Sequence, residues 1–197
     1  LSFEPIVSFG KNTANIHHVP NKTKLKRGDL VMFDIGTTIN HYCSDMTHTY
    51  FWGEAPKAKR KKQIEIYNTV LKAQNLALNK IKSGERKCAK IDKVARDFIE
   101  KHYPDNPASR RRSSASRGGF KHGLGHGVGT VIHEWPFFSP KVEDVVPVGC
   151  VMTVEPGIYL KGFGGVRIED MVLITKNGYK HLTNLPRDLK SAFLKSK

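Results

Sequence analysis

Apolar residues recur at helical spacing through the middle of the chain and predict two helices. The first predicted helix opens at Pro56 and runs to about Lys82, where a Ser-Gly pair forms a stop signal. Its apolar positions are Ile64, Tyr67, Leu71, Leu78 and Ile81. The second predicted helix runs from about Cys88 to His102, and its apolar side chains again share one face.

Short apolar runs on both sides of the helices predict β-strands. Before the helices, 27–36 has the Val, Met, Phe and Ile content of a buried strand, and 41–52 is rich in Tyr, Thr and Phe. After the helices, short strands broken by Gly and Pro are predicted at about 127–133, 150–155, 166–174 and 179–182. Helices placed between two groups of strands predict a single α+β domain over 1–197.

The composition is that of a globular protein. The chain has 197 residues, of which 39% are hydrophobic and 26% charged, and this balance argues against global disorder. No apolar run approaches the ~18 residues of a membrane helix, and no signal-peptide pattern opens the sequence, so we expect no membrane partner. Cys43, Cys88 and Cys150 are odd in number and far apart, which excludes a disulfide scaffold and favours a cytoplasmic location.

The net charge of +15 is unusual and leaves two interpretations open. Basic residues cluster at 57–62 and again within 104–119, a Ser- and Gly-rich stretch that we predict to be a flexible basic loop. Such clusters contact an anionic partner in some proteins and are only a solvated face in others.

Acidic residues and histidines on or beside the predicted strands suggest metal chemistry. The candidates are Asp34, Asp45, His126, Glu155 and Glu169. A carboxylate in an apolar strand is costly to bury as an ion unless a partner neutralises it. Four carboxylates and one imidazole carry about four negative charges, which two divalent cations would balance. Oxygen-rich ligation with one imidazole suits Mn, Co, Fe or Zn better than a thiolate site does.

The five residues also lie in short motifs that follow one another in a recognisable order. These are Phe-Asp-Ile-Gly around Asp34, Ser-Asp-Met-Thr around Asp45, His-Gly-Leu-Gly-His-Gly ending beside His126, Val-Glu-Pro-Gly-Ile-Tyr around Glu155, and Gly-Val-Arg-Ile-Glu-Asp around Glu169. In this order, from about residue 3 to about residue 182, they resemble the pita-bread metallopeptidases. That family includes methionine aminopeptidase, aminopeptidase P and prolidase.

The resemblance implies an α+β pita-bread fold, in which a curved antiparallel sheet has helices packed on its outside. It identifies 1–197 as a single catalytic domain, without the separate N-terminal domain and the upstream helices that such enzymes usually carry. It also implies two divalent metal ions, Mn first and Co, Zn or Fe as alternatives. A homodimer is the expected assembly.

The resemblance assigns each ligand a role. Asp34 would chelate one metal, and His126 and Glu155 would hold the other, while Asp45 and Glu169 would bridge both. A hydroxide bridging the metals would attack the scissile carbonyl, with Glu155 as the proton acceptor and donor.

Four further residues are implied to contact substrate. His17 matches a histidine near the N-terminal residue of the peptide, and His133 one that hydrogen-bonds substrate and steadies the oxyanion. His17 and His133 therefore join Glu155 as catalytic residues. His122 matches a pocket histidine of the proline-specific branch. Arg167 would orient Asp45 or the carboxylate end of the substrate.

The motifs favour the Xaa-Pro branch, aminopeptidase P or prolidase, and hence a peptide substrate with proline at its second position. Two alternatives stay open: a methionine aminopeptidase-like enzyme, and a catalytically inactive pita-bread module that binds nucleic acid, ribosome or histones. Asp170 is expected on the strand face opposite Glu169, either supporting the site from behind or lying at the surface.

Overall fold

The computed structural model describes residues 1–104 and 119–194, so that 105–118 of the predicted basic loop lie outside the described residues. The helices are α1 (Lys57–Lys82) and α2 (Cys88–His102), with a short 3-10 helix at Gly10–Ala14. The strands before α1 are β1 (Ile6–Phe9), β2 (Leu30–Ile35), β3 (Thr38–Ile39), β4 (Tyr42–Cys43) and β5 (Met46–Trp52). The strands after α2 are β6 (Gly125–Gly127), β7 (Glu134–Phe138), β8 (Val151–Val154), β9 (Gly157–Leu160), β10 (Gly164–Arg167), β11 (Asp170–Thr175), β12 (Gly178–His181) and β13 (Phe193–Leu194).

The helical predictions are confirmed, and α2 has the predicted bounds. The strand predicted at 127–133 is wrong, because the pairing residues are those of β6 and β7 on either side of it. The strand predicted at 166–174 is broken at Ile168 and Glu169, since the Glu169 amide donates to the Thr47 carbonyl of a different sheet, at 2.9 Å. β1, β3, β7, β9 and β13 were not predicted.

Two main sheets carry the motif residues. One has the strand order β1-β2-β5-β13 and the other the order β12-β11-β8-β6-β7, while β9 and β10 form an antiparallel pair. Asp34 lies opposite Thr47 in the first sheet, and Val154 lies opposite Asp170 in the second. The Glu169–Thr47 backbone bond joins the first sheet to the segment between β10 and β11. Each sheet therefore brings acidic residues to this junction.

Both helices pack on the second sheet, α1 also packs on β9 and β10, and together they bury one apolar core. Its fully buried members include Ile66, Val70, Leu78, Ile81, Ile91, Ile99, Phe138, Met152, Val166 and Val172. Helical periodicity supplies one side of this core and strand alternation the other. Among the helices of the described residues, none has an apolar stretch long enough to span a lipid bilayer.

An ion pair on α2 anchors the segment that leads into β6. Arg96 donates to both carboxylate oxygens of Asp92, at 2.7 and 2.9 Å, and to the carbonyls of Phe120 and His122, at 2.9 and 2.8 Å. Asp92 also accepts the Leu124 amide at 3.0 Å and is fully buried. The helix therefore fixes the backbone just before the Gly-His-Gly motif.

We predict that Asp92→Ala lowers the free energy of unfolding by about 3 kcal/mol, because it leaves a largely buried guanidinium without its carboxylate. Urea denaturation measures this change. Asp97→Ala on the same helix is the matched control, since it breaks the exposed Lys93–Asp97 pair of the same (i,i+4) spacing. Solvent screening makes that pair weak, so the control should unfold close to the wild-type midpoint. Equal midpoints for the two variants would contradict the prediction.

Candidate metal centre

The five predicted ligands come together at the junction of the two sheets. Asp34 lies in β2 and Asp45 directly before β5, whereas His126 lies in β6 and Glu155 directly follows β8. Glu169 lies between β10 and β11, where the chain crosses towards the first sheet. Four of these side chains are buried and Glu155 is partly buried. Residues far apart in the sequence thus converge on one small volume.

The ligand atoms form overlapping sets. Asp34, Asp45 and Glu169 each offer an oxygen within 4.8 Å of the others. A ring nitrogen of His126 forms a second such set with oxygens of Glu155 and Glu169, and a third set joins Asp45, His126 and His133. His126 Nε2 lies 3.3 Å from Glu155 Oε1 and 3.6 Å from Asp45 Oδ2. Because the sets share members, the ligand atoms form one continuous cluster.

The chemistry of the donors fits divalent cations. Asp34 Oδ1 and Glu169 Oε1 are buried and have no hydrogen-bond partner among the described residues. Their other oxygens are held, since Arg167 Nη2 donates to Asp34 Oδ2 at 2.6 Å and Thr47 Oγ1 donates to Glu169 Oε2 at 2.7 Å. A buried carboxylate oxygen without a donor is costly, and a cation would satisfy both atoms.

The mutual repulsion of the carboxylates appears in their pKa values. Burial, reinforced by the charges of Asp34 and Glu155, raises the pKa of Asp45 to about 8. Burial and the other carboxylates raise the pKa of Glu169 well above its usual value. Burial also raises the pKa of Asp34, although the charge of Arg167 opposes it. The cluster therefore has an excess of negative charge that positive ions would relieve.

Glu155 behaves differently from the other three acids. Burial alone would raise its pKa, but the hydrogen bond with His126 and the charges of His126 and Arg167 lower it below the usual value. The same contact with Glu155 raises the pKa of His126, against the effect of burial. Glu155 is therefore the acid of the cluster whose surroundings favour the ionised carboxylate most.

Threonine hydroxyls orient the two glutamates of the cluster. Neither threonine was predicted from the sequence. Thr47 Oγ1 donates to Glu169 at 2.7 Å, and Thr153 Oγ1 donates to Glu155 Oε1 at 3.1 Å. Thr47 follows Asp45 by two residues and Thr153 precedes Glu155 by two, so strand alternation places them on the face of the ligands. This two-residue spacing from a predicted ligand is the sequence signal from which both threonines could have been predicted.

Arg167 corrects one expectation from the sequence. Its guanidinium pairs with Asp34, at 2.6 Å, and not with Asp45. The side chain is 2% exposed and also donates to Thr47 Oγ1, at 2.9 Å, and to the Tyr159 hydroxyl, at 3.0 Å. Its donors are thus largely committed to groups of the site itself.

His122 lies at the end of a hydrogen-bond chain that starts at Arg167. Because the Tyr159 hydroxyl accepts from Arg167, it can donate its proton to His122 Nε2, at 2.8 Å. His122 Nδ1 then donates to the Gly123 carbonyl, at 2.8 Å. Burial lowers the pKa of His122 to about 4, which agrees with a neutral ring in this arrangement. Tyr159 was not singled out from the sequence.

The cluster opens into a cavity of about 870 Å³. His17, His122, His133 and Arg167 line it together with the five ligands. The ring of His133 lies edge-on to that of His126, with centroids 4.2 Å apart. Apolar side chains complete the wall: Phe3, Ile6, Ile16, Val19, Ile132 and Phe137. All nine residues predicted for the site therefore border one cavity that is largely apolar away from the carboxylates.

Comparison with known proteins agrees with this geometry. Residues 1–176 match the model of metallopeptidase family M24. The chain is 43% identical over 189 residues to the Xaa-Pro dipeptidase of Pyrococcus furiosus, covering 95% of this chain and 49% of that protein. The pita-bread fold predicted from the sequence is confirmed by solved structures of relatives.

Two of these structures illustrate the match. The prolidase from Pyrococcus furiosus superposes with a TM-score of 0.80 at 41% identity, over 94% of this chain and 50% of that one. The X-Pro aminopeptidase from Thermotoga maritima gives 0.80 at 35% identity, over 95% and 48%. This chain thus spans about half the length of the curated relatives that it matches.

We predict that Glu169→Gln abolishes stabilisation by metal without weakening the metal-free fold. Glutamine keeps the shape of the side chain and removes one charge from a repelling cluster. Mn²⁺ at about 100 times its dissociation constant would stabilise the wild type by about 2.7 kcal/mol. Thermal unfolding in EDTA and in Mn²⁺ measures both effects, with the exposed Glu143→Gln as the control. A Glu169→Gln chain stabilised by Mn²⁺ as much as the control would contradict this prediction.

Proposed function

Because this chain belongs to metallopeptidase family M24, on its prolidase branch, we propose that it hydrolyses the peptide bond before proline in Xaa-Pro peptides with two divalent metal ions. The observation that carries the proposal is the pair of ligand sets sharing Glu169, beside two buried carboxylate oxygens that lack partners among the described residues. The Xaa-Pro dipeptidase and aminopeptidase relatives support the substrate class.

The geometry supports the ligand roles that the resemblance implies. Asp34 would hold one cation, His126 and Glu155 the other, and Asp45 and Glu169 both. When bound, two cations would polarise the scissile carbonyl and lower the pKa of the attacking water. Mn is the first choice for this donor set, with Co, Zn and Fe as alternatives.

Glu155 is the residue proposed to move the proton. A prolyl nitrogen carries no hydrogen in the peptide and leaves as a secondary amine, so it must receive a proton as the bond breaks. The lowered pKa of Glu155 keeps its carboxylate ready to accept a proton from the attacking water and then to deliver it to that nitrogen.

The histidines on the cavity wall would position the peptide. His17 and His133 are exposed on that wall, and the nearness of His133 to His126 suits a donor to the developing oxyanion. The neutral ring of His122 and the apolar wall suit an uncharged pyrrolidine. The contacts of Arg167 with Asp34 and Tyr159 support a role in orienting the site more than direct capture of a substrate carboxylate.

A homodimer and a cytoplasmic location stay predictions, as does the single-domain boundary 1–197.

An anionic partner would find basic groups from two segments close together. The opening turns of α1 carry Lys57, Lys59, Arg60, Lys61 and Lys62. Lys59 Nζ lies 3.5 Å from Oδ1 of Asp29, and Asp29 follows the basic segment 22–27 by two residues.

We predict metal-dependent cleavage of an Xaa-Pro peptide series by the purified chain, measured by release of the N-terminal residue with and without Mn²⁺ or Co²⁺. Glu155→Gln should lose at least about 100-fold in kcat, because it removes the proton acceptor. Glu143→Gln, at an exposed glutamate outside the cavity lining, should retain wild-type activity.

Two outcomes would count against the proposal. Faster cleavage of Met-Ala than of Met-Pro peptides would favour the methionine aminopeptidase-like alternative. Absence of cleavage and of bound metal, together with a salt-sensitive gel shift of RNA, would favour the inactive binding module.

A further inference from the structure

Gln74, near the middle of α1, lies behind the carboxylate cluster and contacts both chain segments that lead into its glutamates. Its side chain is fully buried. Its Nε2 donates to the backbone carbonyl of Val154 at 3.0 Å and to that of Ile168 at 3.2 Å. These two residues directly precede Glu155 and Glu169 in the chain. One amide group thus touches the backbone on the approach to each glutamate.

Each of these carbonyls shares a peptide plane with the N–H of the glutamate that follows it. The Glu155 N–H donates to the Leu124 carbonyl at 2.8 Å, and the Glu169 N–H donates to the Thr47 carbonyl at 2.9 Å. Both planes are therefore held at both ends: a neighbouring backbone holds each N–H, and Gln74 holds each carbonyl. A plane held in this way has little freedom to rotate, which fixes the direction in which the next side chain leaves the backbone.

Gln74 is itself held in one orientation. Arg187 Nη1 donates to Gln74 Oε1 at 2.8 Å, and Gln74 Nε2 also lies 2.9 Å from Asp170 Oδ2, so that its two N–H hydrogens are shared among this carboxylate and the two carbonyls. Asp170 is 1% exposed and also lies 3.2 Å from Arg187 Nη1. A flipped amide would set its oxygen against three acceptors and its NH₂ group against a guanidinium. Asp170 therefore supports the site from behind, one of the two places expected from its position beside Glu169.

We propose that Gln74 is a positioning residue of the metal centre, whose amide sets the separation and direction of the Glu155 and Glu169 carboxylates by holding the peptide planes before both. Removing one amide would weaken the hold on both planes together. The inference rests on the proposed function, because these carboxylates are the ones proposed to hold the cations. Groups that orient metal ligands typically change metal affinity about 10- to 100-fold when they are removed.

Gln63 provides a matched control on the same helix. It lies eleven residues before Gln74, about three helical turns away on a similar face. It is also fully buried, donates to the Gly28 carbonyl at 3.0 Å, and accepts from Arg60 at 2.9 Å. The two glutamines differ in what they hold, because Gln63 contacts the backbone before β2 and Gln74 contacts the backbone before the two glutamates.

The experiment titrates Co²⁺ into metal-free wild type, Gln74→Met and Gln63→Met. Calorimetry gives the two affinities, visible absorption reports the coordination geometry, and unfolding in EDTA gives the stability of each chain. We expect both variants to lose stability. Only Gln74→Met should bind cobalt about tenfold or more weakly and show an altered cobalt spectrum. A purely structural role would lower stability and leave the spectrum unchanged.

Three results would overturn the inference. The first is a Gln74→Met chain with the same cobalt affinity and the same cobalt spectrum as Gln63→Met. If Gln74→Met does not fold, Arg187→Met replaces it, since that variant removes the donor to Gln74 Oε1 at a partly exposed position and so loosens the amide. Wild-type affinity and spectrum would then overturn the proposal. A wild-type chain that binds no cobalt would overturn the proposed function, and this inference with it.

Discussion

The mutual repulsion of four carboxylates is the constraint on which the rest of the site depends. Asp34, Asp45, Glu155 and Glu169 crowd into a few ångströms of largely buried space, where burial first, and the like charges with it, raise the pKa values of Asp34, Asp45 and Glu169. A folded chain tolerates such a cluster only where protons or cations compensate it. The same repulsion that costs stability without metal is what gives the site its attraction for divalent ions.

The fold holds this cluster by sharing its members between two sheets. β2 and β5 supply the aspartates, while β6, β8 and the crossing before β11 supply the histidine and the glutamates. Arg167 and the Thr47 hydroxyl each hold one carboxylate oxygen, of Asp34 and of Glu169, and leave the other without a donor among the described residues. Neighbouring strands, and Gln74 from α1, hold the backbone behind the glutamates. Binding groups therefore face the cavity, and positioning groups stand behind them.

Regular periodicity explains which elements could be predicted. α2 has the predicted bounds because its apolar face repeats over four turns and prolines follow it. The prediction of a strand at 127–133 is wrong because the β-branched residues there form bends. The strand pairing is made instead by the Gly-rich β6 and by β7. A Cβ on Gly125 would lie 1.9 Å from the Thr153 carbonyl, so the close approach of β6 and β8 requires a glycine that strand propensity disfavours.

The sequence by itself determined the helices, the α+β class, the family and the identity of the five candidate ligands, because ordered motifs and residue chemistry are local properties. Tertiary structure alone decided which residues meet: Arg167 with Asp34 instead of Asp45, Tyr159 between Arg167 and His122, and Gln74 behind both glutamates. These contacts join residues 8 to 133 positions apart. Their geometry depends on the packing of α1 and the two sheets, which no local pattern encodes.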